Sequence, residues 1–83
     1  MGERSVGVIA VIIKNRTGSA GLVNQALSDY GDMIIGRMGL PYPDRDLNIV
    51  TLIVDATGDR IGALTGKLGM IPDVTVKSTL AKL

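Results

Sequence analysis

The pentapeptide Asn15-Arg16-Thr17-Gly18-Ser19 follows directly on an apolar run and precedes an amphipathic segment. Such a turn suits anion capture, because free backbone N–H groups at a helix start favour a carboxylate or phosphate. Arg16 adds a two-pronged donor. The same residue types also build an ordinary capped turn with a solvated arginine, so both readings stand. A second cluster holds Arg37, Tyr42, Asp44, Arg45 and Asp46. In one reading Arg37 grips a carboxylate and Tyr42 closes over it. In the other the cluster is a solvated hairpin tip guarded by charge and proline. The candidate effector-binding set is thus Asn15, Arg16, Thr17, Gly18, Ser19, Arg37 and Tyr42.

Other chemistries find less support. Gly62-Ala63-Leu64-Thr65-Gly66-Lys67 resembles a phosphate loop, but the Walker spacing needs a longer interval between the glycines, and the segment falls inside a helical period. Gly62, Gly66 and Gly69 are expected instead to let that helix pack closely. Asp32, Asp55, Asp59 and Asp73 are not spaced to meet on one helix face, so neither an acid–base pair nor a Mg²⁺ site is expected. Asp32 and Asp73 are read as starting strands, and Asp59 as favouring the positive end of a helix. Ser5, Thr17, Ser28 and Thr65 have no histidine to activate them, so no catalytic residue is assigned and the chain is not read as an enzyme. With neither His nor Cys present, zinc sites, catalytic thiols and disulfides drop out together; no metal and no cofactor is expected. Met33, Met38 and Met70 are read as core gap-fillers.

The elements that must position these residues follow from periodicity. Ser5–Lys14 is rich in Val and Ile and reads as a first strand. From Ser19 to Tyr30 the residues Val23, Ala26, Leu27 and Tyr30 share one helical face, and Gly31 is placed as a C′ glycine would be. Asp32–Gly39 reads as a second strand with a glycine bulge. The loop Leu40–Asp46 contains two prolines, which argues against continued pairing there. Leu47–Asp55 returns as a third strand. Thr57 is the expected N-cap of a second helix whose apolar face carries Ile61, Leu64 and Leu68. Val74–Leu80 closes the chain as a fourth strand. Two split βαβ halves give one α+β domain over residues 1–83, of the ferredoxin-like or ACT-like βαββαβ kind. That plan has a four-stranded antiparallel sheet with both helices on one face.

The two central strands are apolar at both alternating sets of positions: Val6, Val8, Ala10 and Ile12 as well as Ile9, Val11 and Ile13 in the first strand, and Ile49 and Ile53 as well as Val50, Leu52 and Val54 in the third. A sheet with one wet face should alternate. The helix-free face is therefore expected to be buried against another subunit, making a homo-oligomer, dimer or tetramer, through the sheet. An 83-residue chain also builds a thin core alone, and subunit contacts are the remaining way to reinforce it. Nine basic and eight acidic residues, spread evenly, form no basic stripe, and two tyrosines are the only aromatic residues. Direct nucleic-acid binding is not expected. The apolar run Val6–Ile13 is too short to span a bilayer and is read as a strand rather than a signal-peptide core. A cytoplasmic protein without membrane contact is expected.

The turn Asn15-Arg16-Thr17-Gly18, with Leu22 beyond it, is similar to the strand-to-helix turn of ACT domains, commonly Asp-Arg-Pro-Gly. A nearly full-length resemblance is to a family of small proteins known as iron-only hydrogenase system regulators. It is carried by Gly36-Arg37-Met38-Gly39 with Pro41-Tyr42, by Ile53-Val54-Asp55, and by Ile61-Gly62-Ala63-Leu64-Thr65-Gly66-Lys67-Leu68-Gly69. The resemblance implies an ACT-like fold related to the C-terminal domain of the nickel-responsive repressor, which assembles through its sheets and binds an effector. It also implies a regulatory role, exerted through a separate protein partner. The repressor's nickel ligands are His and Cys, absent here, and with a first strand beginning by Ser5 its DNA-binding ribbon-helix-helix domain is not expected. The alternative is an interaction protein that assists a metalloenzyme system without a small ligand.

Overall fold

The computed structural model describes residues 3–15 and 18–83. Its elements run β1 (Arg4–Lys14), α1 (Ser19–Asp29), a 3₁₀ turn (Gly31–Met33), β2 (Ile34–Tyr42), a second 3₁₀ turn (Pro43–Arg45), β3 (Leu47–Thr57), α2 (Gly58–Gly69) and β4 (Val74–Lys82). All pairings are antiparallel, in the order β2-β3-β1-β4. The βαββαβ order and the α+β class are therefore as expected, with the most apolar strands, β1 and β3, at the centre.

Alternation in β1 explains the layers. Ile9, Val11 and Ile13 point at the helices and are fully buried, and Val50, Leu52, Val54 and Ala56 do the same from β3. Val23, Ala26 and Leu27 of α1 and Ile61, Leu64 and Leu68 of α2 close the core from above. Thr57 caps α2 as expected, its Oγ1 accepting from the Arg60 N–H at 3.3 Å. Gly7 lies where Leu80 of β4 crosses β1: a Cβ there would meet Leu80 Cδ2 at 2.6 Å.

Several local expectations are corrected. Strand β2 does not stop at Gly39; Leu40, Pro41 and Tyr42 pair with Ile49, Asn48 and Leu47. The prolines do not prevent this, because β2 is an edge strand, where a residue without an N–H is tolerated. Gly31 is not a left-handed C′ residue but opens a 3₁₀ turn, and Gly18 is the only positive-φ glycine among the described residues. Asp32 lies in that 3₁₀ turn rather than starting β2. Met33 fills the core, whereas Met38 and Met70 are exposed. Gly62, Gly66 and Gly69 do not pack closely against anything; a Cβ added at each would meet nothing within 4 Å.

Candidate functional site

Three connections meet at one end of the sheet, around the end of β1. The Asn15 N–H donates to the Asp46 carbonyl at 3.0 Å, tying the β2–β3 connection to the end of β1. The Lys14 N–H donates to the Asp73 carbonyl, also at 3.0 Å, tying in the α2–β4 connection. Asp46 and Asp73 both adopt left-handed backbone conformations, φ 53° and 62°, which aspartate tolerates better than branched residues do. Neither contact follows from sequence periodicity, because both join residues far apart in the chain.

Side chains reinforce the junction. Ser19 is buried, and its Oγ–H donates to the Pro72 carbonyl at 2.6 Å. Asn48 Nδ2–H donates to Asn15 Oδ1 at 2.6 Å, as the β1–β3 register brings these neighbours together. Gly18 is the N-cap of α1 in the left-handed conformation, φ 72°, and among the described residues no side chain caps the helix. Arg16 and Thr17 lie outside the described residues. Beside the junction an open recess of about 270 Å³ is lined by Lys14, Arg45, Asp46 and Leu47, bringing two cationic side chains to the rim. The contribution of Lys14 was not singled out from the sequence; its place at the end of β1 is the signal that could have found it.

Arg37 and Tyr42 do not join one another. Arg37 pairs across from the buried Leu52 on the helix side, where its Nη2–H donates to Asn24 Oδ1 of α1 at 2.9 Å. Tyr42 lies opposite Leu47 at the sheet end, five residues further along. An odd separation along a strand puts side chains on opposite faces. The reading in which Arg37 grips a ligand and Tyr42 closes over it is thus corrected by the extension of β2.

The acidic residues are occupied elsewhere. Asp32 receives both Arg60 Nη groups at 2.7 and 2.9 Å, and Lys67 Nζ and Gln25 Nε2 converge on Asp29 at 2.9 and 3.0 Å. The Arg60 guanidinium and the Lys67 ammonium each lie 5.8 Å from the centre of the Tyr30 ring. Hydrogen bonding to Arg60 holds the Asp32 carboxyl below its ordinary range, and hydrogen bonds from Lys67 and then Gln25 do the same to Asp29. At the far end of β1, Arg4 Nε donates to Asp55 at 3.0 Å with Nη2 alongside, which lowers the Asp55 carboxyl in turn. These pairs brace surfaces rather than converge on a reacting atom. Among the described residues no three acidic, His or Cys side chains cluster as a metal site, and no helix is long and apolar enough to cross a membrane.

The second notable surface is the sheet face away from the helices. Val8 and Ile53, cross-strand partners, are each 42% exposed, and Met38, Leu40 and Tyr42 extend the patch along β2. Thr75, Lys77 and Thr79 of β4 and the Arg4–Asp55 pair border it. An apolar centre inside a polar border is the anatomy of an interface.

A search of curated proteins finds no match. Among solved structures, an uncharacterized protein, TM1266 from Thermotoga maritima, superposes with a TM-score of 0.92 at 31% identity, covering 96% of this chain and all of that one. The C-terminal domain of the MgtC protein from Mycobacterium tuberculosis shares the fold at TM-score 0.69 and 18% identity, covering 98% of this chain and 90% of that one. A functionally unknown protein from Pediococcus pentosaceus does so at 0.61 and 9%, over 99% and 96% of the two chains. A family model matches residues 5–78, from the start of β1 through most of β4. On that match the chain belongs to the TM1266-like family, described as "Iron-only hydrogenase system regulator, putative".

Proposed function

We propose that this chain is a regulatory, non-enzymatic module of the cytoplasm that works as a homo-oligomer assembled through the open sheet face. It binds a small anionic effector beside the Asn15–Ser19 turn and acts on an iron-only hydrogenase system through a separate protein partner, without touching DNA itself. The observation that carries the reading is the apolar face. Strands spaced about 4.8 Å apart and rising about 3.4 Å per residue make a face of about 19 by 37 Å, or about 700 Å². That is close to the roughly 800 Å² that each partner contributes to a stable interface. Burying Val8, Ile12, Ile53, Met38, Leu40 and Tyr42 against their copies would cover the exposed apolar residues of that face.

The effector part rests on Lys14 and Arg45 at the recess and on the helix start at Gly18, where a carboxylate or phosphate finds both cations and backbone donors. A second reading, an interaction protein with no small ligand, is favoured by a different observation. The Asn15 and Ser19 side chains already make internal hydrogen bonds. Sedimentation and thermal melting separate these. Assembly through the face predicts that Ile53→Glu halves the mass at micromolar concentration, and an unchanged mass overturns it. Effector binding predicts a raised Tm with at least one member of a panel of small carboxylates and phosphates. A flat response across the panel leaves the interaction protein.

A further inference from the structure

The two edges of the sheet differ. The β2 edge is broken by a register shift between Ile34 and Gly36 and carries Pro41, devices that deter pairing. The β4 edge runs straight for nine residues, Val74–Lys82, with no proline and no irregularity in its register to β1. Its outward N–H and C=O groups are a template for another strand. Above it, Gly62, Gly66 and Gly69 of α2, together with Thr65, Val74 and Val76, bound an open cleft of about 540 Å³. The cleft exists because those three helix positions carry no side chains. Leu80, on the helix side of β4, leans over Gly7 of β1 and remains 47% exposed in the single subunit.

We propose that β4 pairs antiparallel with β4 of a second copy, joining two four-stranded sheets edge to edge, with Ser78 opposite its own copy on the two-fold axis. The register follows from the sequence of the strand. A two-fold axis perpendicular to the sheet keeps helix-side residues opposite helix-side residues, so it must pass through a residue. Centring on Lys77 sets like charges face to face, which destabilises a strand pair. Centring on Thr79 puts Val76 against Lys82. Centring on Ser78 pairs the whole strand, sets Val76 against the partner's Leu80, and brings that leucine to the mouth of the glycine-lined cleft. The occupant is a second copy because the exposed leucine and the cleft that faces it in this register both come from this one chain.

The chain has no cysteine, so Ser78→Cys introduces a single thiol. Opposed residues in an antiparallel pair have Cα atoms about 4.5–5.5 Å apart, within the span of a disulfide. Mild oxidation should convert most Ser78→Cys protein to a covalent dimer, whereas Val76→Cys alone should give none and a mixture of Val76→Cys and Leu80→Cys should give the heterodimer. Gly66→Glu, whose Cβ would meet nothing within 4 Å and whose carboxylate would occupy the open cleft, should leave the Tm unchanged or raised and abolish the Ser78→Cys cross-link. The experiment is run in the Ile53→Glu background, which separates this edge from assembly through the open face. A Ser78→Cys variant that stays monomeric on oxidation overturns the proposal, as does a cross-link that survives Gly66→Glu.

Discussion

Gly7 and Gly66 make a pair of opposite expectations. A methyl group at Gly7 meets Leu80 Cδ2 at 2.6 Å, the end of a half-exposed side chain that can turn away, but the Thr79 carbonyl oxygen and Val54 Cγ2 also crowd it, at 3.1 and 3.3 Å. Gly7→Ala should therefore destabilise the fold by about 1 kcal/mol, the low end of overpacking. Gly66 has open space around it within a helix interior, so Gly66→Ala should stabilise the subunit by up to about 1 kcal/mol. Equilibrium denaturation of the two variants measures both, and a stabilised Gly7→Ala protein would contradict the packing of β4 on β1. Composition alone does not separate these glycines. Gly7 lies in a run of Val and Ile where any small residue reads as strand, and the crossing of Leu80 over it is set by the β1–β4 register. The same holds for the turn residues: Ser19 is legible as part of a helix start, but its bond to Pro72 joins positions far apart in the chain.

Helix α2 is joined to α1 by Lys67 with Asp29 and to the 3₁₀ turn that follows α1 by Arg60 with Asp32, and both cations lie 5.8 Å from the centre of the Tyr30 ring. Both carboxyls are held below their ordinary range by these hydrogen bonds. A lowered carboxylate value stabilises the fold above the ordinary range, near pH 4, and that contribution is lost as pH falls through the lowered value. Lys67 is raised by its bond to Asp29, so its share is present below the ordinary lysine value and is lost as pH rises through the raised one. With no His and no Cys, the chain lacks the side-chain types that ordinarily titrate between about pH 5.5 and 9. Denaturation midpoints should be level from about pH 5.5 to 9 and fall below about pH 4. The acid limb should shrink in an Asp29→Asn, Asp32→Asn double variant. At this scale the chain was largely legible: β1, β3 and the apolar face of α2 follow from period alone, and Thr57 is the cap it was read to be. The end of β2 was not, because proline excludes a residue from the middle of a sheet and not from its edge, and strand order is not written in a local pattern.

For the whole molecule, the βαββαβ order was legible because two apolar strands, each followed by an amphipathic segment, leave few ways to cover a core. The open apolar face was legible for the same reason, since both alternating sets of β1 and β3 are apolar. The meeting of three connections around the end of β1 was not, because it depends on where Asp46 and Asp73 turn. The contrast between the sheet edges bears on how far assembly can run. Pairing through β4 about a two-fold axis uses up that edge in one step and leaves the two β2 edges, each broken near Ile34 and lacking an N–H at Pro41, at the ends of the joined sheet. Growth therefore terminates, and concentrated protein should stay clear instead of forming fibres. Restoring a donor with Pro41→Val and regularising the bulge by deleting Ile35 would leave the β4-joined dimer with a pairing-competent β2 edge at each end. Such dimers should polymerise through β2–β2 contacts, with turbidity that rises steeply with concentration, and a variant that remained of finite size would show that β2 is not what terminates growth.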